Sequence, residues 1–236
     1  MNLYLPIEVL NREFQSKLLI AMESASRGMQ VYMGRLVPYL KRNHFAPGIV
    51  LQKSITPSPD RLEELRYYKK KNFIVTSLDE EVGLFELDNA DYSKLRYSNQ
   101  SLELADKVFT WGKYDHNKLC KKFKKYKKKF VLSGNPRIDF WRKDFNFFFK
   151  NKKLKYRDYI FFSLNFSFII SDKEFNKYLT FLKNSDYINR GYGPKRAIKE
   201  RKDSFKMFKK FSKLITALSK QTDLKIIVRP HPTDKL

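Results

Sequence analysis

Short apolar runs rich in β-branched residues alternate with amphipathic stretches over the first 134 residues of the chain. Apolar residues recur at helical spacing between Phe14 and Met29 and predict a first helix that stops near Gly28. Helices are also predicted at 59–71 and 113–125. Strands that alternate with helices are typical of a parallel, doubly wound sheet. The strands predicted for this sheet are 2–9, 30–34, 48–53, 72–79, 107–112 and 129–134.

A second α/β pattern begins near residue 158. It predicts strands at 158–166 and 224–230, separated by helices at 172–184 and 195–221. Sheets typically have about five or six strands, and two parallel strands cannot bury both of their faces. We therefore expect an α/β protein with two Rossmann-like lobes, in which the second lobe is incomplete and the chain is truncated at its C-terminus.

The lobes are predicted to span 1–140 and 158–236, with a basic linker at 141–157. The chain has 236 residues, 42% of them hydrophobic, which is enough to build real cores. Its single cysteine, Cys120, excludes an internal disulfide and fits a reducing compartment. The most apolar run, 159–170, is too short to span a bilayer. These features predict a cytoplasmic protein.

Charge is the strongest global feature, because 49 Lys and Arg against 25 Asp and Glu give a net charge of +24. Much of the positive charge lies in 121–130 and 150–157. One interpretation is solvated lysine in a chain of biased composition. A second is peripheral contact with the anionic inner face of the membrane. Nucleic acid is the third and least favoured, because no RNA-binding aromatic motif, zinc finger or helix-turn-helix pattern occurs.

Candidate chemistry follows two of the predicted strands, where doubly wound sheets bind their ligands. Glu8, Asn11 and Arg12 come after the first strand, although a capping and turn segment would explain them as well. Glu80 and Glu81 end the fourth strand beside another acid. Adjacent carboxylates repel, so one of them can have a raised pKa and serve as a general base. The alternative is an acidic helix N-terminus that balances the helix dipole.

Two further segments carry cations after predicted strands. Asn135 begins an Asn-Pro turn from which Arg137 can project toward a phosphate, unless the turn is only structural. Arg229 precedes His231, which is held rigidly because a proline stands on either side of it. His44 and His116, by contrast, are expected to be structural.

No glycine-rich phosphate loop, no Asp-x-Asp pair and no Cys/His cluster occurs in the chain. We therefore expect no metal and no cofactor. A nucleotide phosphate would be neutralised by Arg, His, Lys and helix N-termini instead.

Taken together and in this order, five motifs resemble those of bacterial surface carbohydrate biosynthesis proteins. They are "YLPIEVLNREFQSKLLIAMESASRG", "LDEEVG", "WG", "SGNPRID" and "IIVRPHP". That family is related to capsule, lipopolysaccharide and teichoic acid transferases, among them the CDP-glycerol glycerophosphotransferases, which have two Rossmann-like domains in the GT-B arrangement. The chain is more distantly similar to the sialyltransferases and Kdo transferases, which carry a two-acid-plus-glycine motif and a His-Pro motif.

The resemblance implies inverting, metal-independent transfer of a glycosyl or glycerophosphate group from a CMP- or CDP-activated donor to a polysaccharide or lipid-linked acceptor. In that scheme Glu80 or Glu81 is the base and His231 stabilises the leaving nucleotide phosphate. The remaining candidates bind substrate or phosphate: Glu8, Asn11, Arg12, Asn135, Arg137 and Arg229.

Two departures from the family pattern accompany the resemblance. A valine separates the acid pair from Gly83, and the family continues well past its RPHP motif. Two other functions remain open, a nucleotide-sugar epimerase of the same fold and a non-catalytic basic binding protein at the inner membrane surface.

Overall fold

The structure, a computed structural model, describes residues 1–40, 45–81, 92–148, 157–164, 166, 168–185, 187–189 and 191–230. The chain divides into two compact units, Met1–Asn151 and Lys152–Leu236. This division lies within the stretch 141–157 that was predicted to connect two lobes.

The first unit contains a six-stranded sheet in which every neighbouring pair is parallel. The strand order is β2-β1-β3-β4-β5-β6. The prediction of an α/β, Rossmann-like fold with a parallel sheet is therefore confirmed for this unit. Its strands are β1 (Asn2–Pro6), β2 (Gln30–Gly34), β3 (Ile49–Gln52), β4 (Ile74–Leu78), β5 (Lys107–Thr110) and β6 (Phe130–Leu132).

Within the described residues, six helices lie between these strands and a seventh follows the last strand. Ser58 caps the third of them by accepting from the amide of Arg61, and Pro59 occupies its first turn. Ser98 and Ser101 form a reciprocal capping box that starts the fifth. The helices are α1 (Leu10–Ser26), α2 (Val37–Leu40), α3 (Pro59–Lys70), α4 (Tyr92–Arg96), α5 (Asn99–Leu104), α6 (Lys113–Lys122) and α7 (Pro136–Asp139), with 3₁₀ segments at Lys124–Lys129 and Lys143–Phe148.

Successive strand residues point to opposite faces of the sheet. Helices cover both faces, so apolar residues are buried on each of them. On one face Tyr4, Val50 and Val75 pack with residues of α3, α5 and α6. On the other face Leu5 and Leu51 pack with residues of α1. This two-sided burial explains why the strands are nearly continuous apolar runs.

Helix α1 buries a polar face toward the sheet edge. Its buried residues are Glu13, Ser16 and Lys17, whereas Phe14 and Met22 from the apolar stripe are exposed. The apolar periodicity thus predicts the helix correctly, but the apolar residues of that pattern do not lie on the most buried side of the helix. Helix α1 therefore brings a carboxylate and an ammonium group into the protein beside the ends of the strands.

The second unit, as far as it is described, has one parallel pair of strands, β7 (Tyr159–Ser163) and β8 (Lys225–Arg229). Helices α8 (Asp172–Lys183) and α9 (Pro194–Ser219) lie between them in the chain. Phe166, Phe208 and Phe211 pack together, yet Ala197 is the one residue of α9 that is fully buried. The incompleteness of this lobe stays a prediction.

Candidate functional site

The strand order reverses beside β1. The chain leaves β1 through α1 to reach β2 on one side, and then crosses to β3 on the other side. In open parallel sheets the carboxyl ends of strands at such a switch point form the usual ligand crevice. We call the polar side chains that follow β1, β3, β4 and β6 at this edge, together with Arg12, Glu13 and Lys17 of α1, the carboxyl-edge site.

Glu8, directly after β1, pairs with two cations from the other side of the switch point. Its carboxylate forms an ion pair with Lys53, which follows β3, and a second one with Arg61 Nη2 at 3.1 Å. Glu8 also lines a cavity of about 320 Å³ with Arg35, which follows β2. A cavity whose volume is near the lower bound for small-molecule pockets thus lies at the carboxyl ends of the strands, where a ligand crevice is expected.

Arg61 continues into a buried polar network. It donates from Nη1 to Gln52 Oε1 at 2.9 Å and to Glu64 Oε2 at 2.8 Å, while Tyr68 donates to Glu64 Oε1 at 2.7 Å. Burial raises the pKa of Tyr68 well above its ordinary value, and the charge of Glu64 adds to the effect. This network holds Arg61 in place beneath Glu8.

Glu13 and Lys17 form an ion pair that is entirely removed from solvent. Lys17 donates from Nζ to Glu13 Oε2 at 2.9 Å and to the carbonyl of Pro6. The Glu13 carboxylate also accepts from the amides of Glu8 and Val9, both at 3.1 Å, and so caps the start of α1. Burial alone would raise the pKa of Glu13, but the hydrogen bond and charge of Lys17 bring it below its ordinary value.

Glu80 lies on the same edge, after β4, and is only 5% exposed. Its amide donates to the carbonyl of Lys53 at 3.0 Å, but its Oε2 has no hydrogen-bond partner among the described residues. Burial raises the pKa of Glu80; the charges of Lys17 and Arg137 oppose the rise without cancelling it. This carboxyl group is therefore buried, unpaired and able to hold a proton.

Glu81, the other candidate base, is 41% exposed and paired on both sides. Arg12 lies 3.3 Å and Arg96 3.2 Å from its two carboxylate oxygens. Arg96 also binds Asp79 through two hydrogen bonds of 2.6 and 2.7 Å. Two guanidinium groups thus neutralise Glu81. Of the two acids, Glu80 has the environment of a general base.

Asn135 and Arg137 reach the same edge from β6. Asn135 is buried and caps α7, because its Oδ1 accepts from the amide of Arg137 at 2.9 Å. Arg137 in turn donates from Nη1 to the carbonyl of Glu80 at 3.4 Å. Helix α7 packs on α1, which brings this pair next to the buried charges of α1.

Three buried polar atoms at this edge lack hydrogen-bond partners among the described residues. They are Glu80 Oε2, Asn135 Nδ2 and Arg12 Nε. Buried polar groups in folded proteins are nearly always hydrogen-bonded to protein or to ordered water. One acceptor and two donors at this sheet edge are therefore available to ordered water or to another bound polar molecule.

The other predicted residues are not brought into the carboxyl-edge site. Asn11 is exposed on the first turn of α1. Arg229, in the second unit, donates to Ser163 Oγ at 3.0 Å and lies over the Phe161 ring. His231 lies outside the described residues, as do His44 and Gly83. The role predicted for His231 stays a prediction.

Several residues of the site were not predicted from the sequence. Lys17 had a signal, because Glu13 and Lys17 are four apart on a predicted helix, a spacing at which charges pair. Lys53 stands at the end of a predicted strand. Arg61 and Arg96 reach the site from α3 and α4. No local sequence pattern indicates that their side chains point toward it.

Comparisons with family models, with curated proteins and with solved structures give no match to this chain. Within the described ranges, no group of three or more His, Cys, Asp or Glu side chains is placed to hold a metal ion. None of the described helices combines the length and apolarity that a bilayer-spanning segment needs. The fold and site define a class, a Rossmann-like α/β protein with a buried carboxyl group, unpaired among the described residues, near cations at the carboxyl edge of its sheet.

Proposed function

We propose that this protein takes part in surface polysaccharide biosynthesis as an inverting, metal-independent transferase. It transfers a glycosyl or glycerophosphate group from a CMP- or CDP-activated donor to a hydroxyl of a polysaccharide or lipid-linked acceptor. The observation that supports this proposal best is the state of Glu80, whose Oε2 is buried and unpartnered and whose pKa is raised.

In this proposal Glu80 accepts the proton of the acceptor hydroxyl. For a glycosyl donor, the acceptor oxygen forms a bond to the anomeric carbon on the face opposite the nucleotide. The bond from that carbon to the phosphate oxygen breaks, and the nucleotide leaves with the electron pair. A well-placed general base contributes about 10²–10⁴ in rate, which is the share assigned to Glu80.

The cations near Glu80 have separate roles in the proposal. Lys17, fixed by Glu13, lowers the cost of ionising Glu80 when the substrate is bound. Arg137, next to the Glu80 backbone, is available to an anionic group of the substrate. In this proposal Arg229 and His231 bind the donor phosphate, which is the role that the resemblance implies for His231.

The test is acceptor-dependent release of CMP, the leaving group of both kinds of donor used, measured in the presence of a metal chelator. CMP-linked sugars and CDP-glycerol serve as donors, and bacterial glycolipids and capsular oligosaccharides serve as acceptors. Release that needs an acceptor is expected from the wild-type chain, and Glu80→Gln should lower it by at least about a hundredfold. Glu63→Gln, on the exposed side of α3, is the matched control and should leave it unchanged.

Other outcomes would favour the alternatives. Conversion of the donor without any acceptor would indicate a nucleotide-sugar epimerase instead. Binding to anionic vesicles without nucleotide release would favour the non-catalytic basic protein, for which the net charge of +24 is the supporting observation. Release that survives in Glu80→Gln would contradict the assignment of the base.

A further inference from the structure

A groove of about 500 Å³ lies on the flank of α6, away from the carboxyl-edge site. One wall is a face of α6, and the other is the 3₁₀ segment Lys124–Lys129, which leads into the amino end of β6. We call it the lysine groove; it is lined by His116, Asn117, Cys120, Lys121, Lys124 and Lys127.

Among the described residues, the lining of the lysine groove contains hydrogen-bond donors and positive charge but no carboxylate. Three lysines stand at intervals of three residues, at the end of α6 and in the 3₁₀ segment. His116 is held by contacts of 3.5 Å, with Thr110 Oγ1 at Nδ1 and with Cys120 Sγ at Nε2. Such a concave surface of one charge sign concentrates its field at the opening.

Three other lysines of the same stretch have partners. Lys122 donates to Ser93 Oγ at 2.6 Å and Lys125 to Glu103 Oε2 at 3.3 Å. Lys129 donates to three backbone carbonyls around the end of α5, at 2.7–2.9 Å.

The groove lysines differ from these neighbours. Among the described residues Lys121, Lys124 and Lys127 have neither an ion pair nor a hydrogen bond, and the Asn117 amide has no partner either. Within the described residues, the stretch therefore pairs Lys122, Lys125 and Lys129 but not Lys128, and it leaves Lys121, Lys124 and Lys127 unpaired where the surface is concave.

We propose that the lysine groove binds a phosphate-bearing ligand, at a site separate from the carboxyl-edge site. Lysine ammonium groups bind phosphate oxygens as point charges, and the Asn117 amide adds a directional donor. Three converging cations repel one another when the groove is empty, and a multiply charged anion removes that repulsion. A single carboxylate would neutralise only one of them, so a phosphate or diphosphate fits better.

The site is tested by titrating the full chain with inorganic pyrophosphate and following its backbone amides by NMR. Saturable shifts are expected at residues 116–127, with an affinity that falls as salt is added. The triple variant Lys121→Gln, Lys124→Gln, Lys127→Gln should bind at least about tenfold more weakly, because each solvent-exposed charge pair contributes only a modest amount.

A matched control separates the groove from the overall charge of the chain. The variant Lys206→Gln, Lys210→Gln, Lys213→Gln removes the same number of charges from the exposed side of α9 and should bind pyrophosphate like the wild type. Equal weakening in both variants, shifts that map elsewhere, or no saturable binding would overturn the proposal.

A vesicle experiment identifies the source of the phosphate. Vesicles of phosphatidylcholine and phosphatidylglycerol are mixed with each protein, with and without pyrophosphate. If the groove variant and pyrophosphate both weaken vesicle binding while the α9 variant does not, the ligand is a lipid headgroup. If pyrophosphate binds the groove but vesicle binding is unaffected by the groove variant, the ligand is a soluble phosphate compound. If a single-stranded oligonucleotide shifts the same residues and binds with more than about tenfold higher affinity than pyrophosphate, the proposal of a small phosphate ligand is wrong.

Discussion

Lys17 donates from Nζ to Glu13 Oε2 at 2.9 Å, and the two side chains are 2% and 0% exposed. Removing both charges from water costs several kcal/mol per ion, and the attraction between them seldom exceeds that cost by much. Stability alone is thus a weak reason for placing this pair beneath Glu80. The pair instead fixes one positive charge at the base of the carboxyl-edge site.

Breaking this pair from one side should be strongly destabilising. Lys17→Met leaves the Glu13 carboxylate buried without its cation, which costs about 3–5 kcal/mol in free energy of unfolding. Because the pKa of Glu13 is lowered in the folded state, the contribution of its charge is present above the ordinary carboxyl pKa and is lost as the pH falls through the folded-state value. Urea unfolding at neutral pH measures the loss.

Two variants control this prediction. Glu13→Gln combined with Lys17→Met removes both charges and should recover part of the loss. The exposed pair of Arg27 and Glu23 has the same i,i+4 spacing, so Arg27→Met should change stability by no more than about 0.5 kcal/mol. If Lys17→Met and Arg27→Met behaved alike, Lys17 would not be buried as described.

Glu80 should make the chain less stable as the pH rises. Its pKa is raised in the folded state, so the folded protein keeps a proton that the unfolded chain loses above about pH 4.3. The free energy of unfolding then decreases between that pH and the folded-state pKa. Glu80→Gln removes this slope, and its stability relative to wild type should increase with pH across the window.

Urea midpoints of wild type, Glu80→Gln and Glu63→Gln at several pH values measure the effect. For the transfer reaction proposed above the opposite trend is expected, since Glu80 would have to be ionised to act as the base and the rate should rise with pH through its folded-state pKa. A pH-independent difference between Glu80→Gln and wild type would mean that Glu80 titrates normally.

Gly48 is required where the chain enters β3. A Cβ atom added there would lie 2.5 Å from the carbonyl oxygen of Asn2 and 2.8 Å from its Cβ, so the backbone of β1 would have to move. Gly48→Ala should therefore cost about 1–3 kcal/mol. Gly112→Ala is the matched control, because nothing lies within 4 Å of a Cβ atom added at that position. Thermal unfolding should show a clearly smaller loss of stability for Gly112→Ala than for Gly48→Ala.

The second unit should open more easily than the first. In the described residues its sheet is a single pair of strands, and Phe161 and Val228 on that pair are exposed. Few buried contacts and solvent-exposed backbone hydrogen bonds lower the free energy of local opening. Amides of β7 and β8 should exchange with deuterium faster than those of β3 and β4, and limited proteolysis should cut after about residue 157 first. Equal protection in the two units would contradict this expectation.

Much of the fold is predictable from local pattern. The runs at 48–53 and 72–79 are apolar because each strand is covered on both faces, and helices α3, α6, α8 and α9 follow from their periodicity. Short helices escape prediction, because their ends are set by tertiary contacts. Pro136 illustrates this: its Asn-Pro signal predicts a turn, and the structure has a four-residue helix capped by Asn135.

The candidate site is less predictable than the fold. The rule that ligands bind after the strands leads to Glu8, Glu80 and Arg137. It cannot separate Glu80 from Glu81, because that difference depends on Arg12 and Arg96, which reach Glu81 from other elements. Sequence spacing carries no information about which neighbour supplies a counter-charge.

The position of β1 also has a consequence for how the chain folds during synthesis. Of the six strands of this sheet, β1 is synthesised first, yet it lies inside the sheet, with β2 on one side and β3 on the other. Both of its edges are covered only after Gln52, the last residue of β3, has left the ribosome. Until then the nascent chain exposes unpaired strand edges, a state that favours wrong pairing between neighbouring copies. Slow translation between β2 and β3 would prolong that state, whereas prompt synthesis of the segment from β1 through β3 would shorten it.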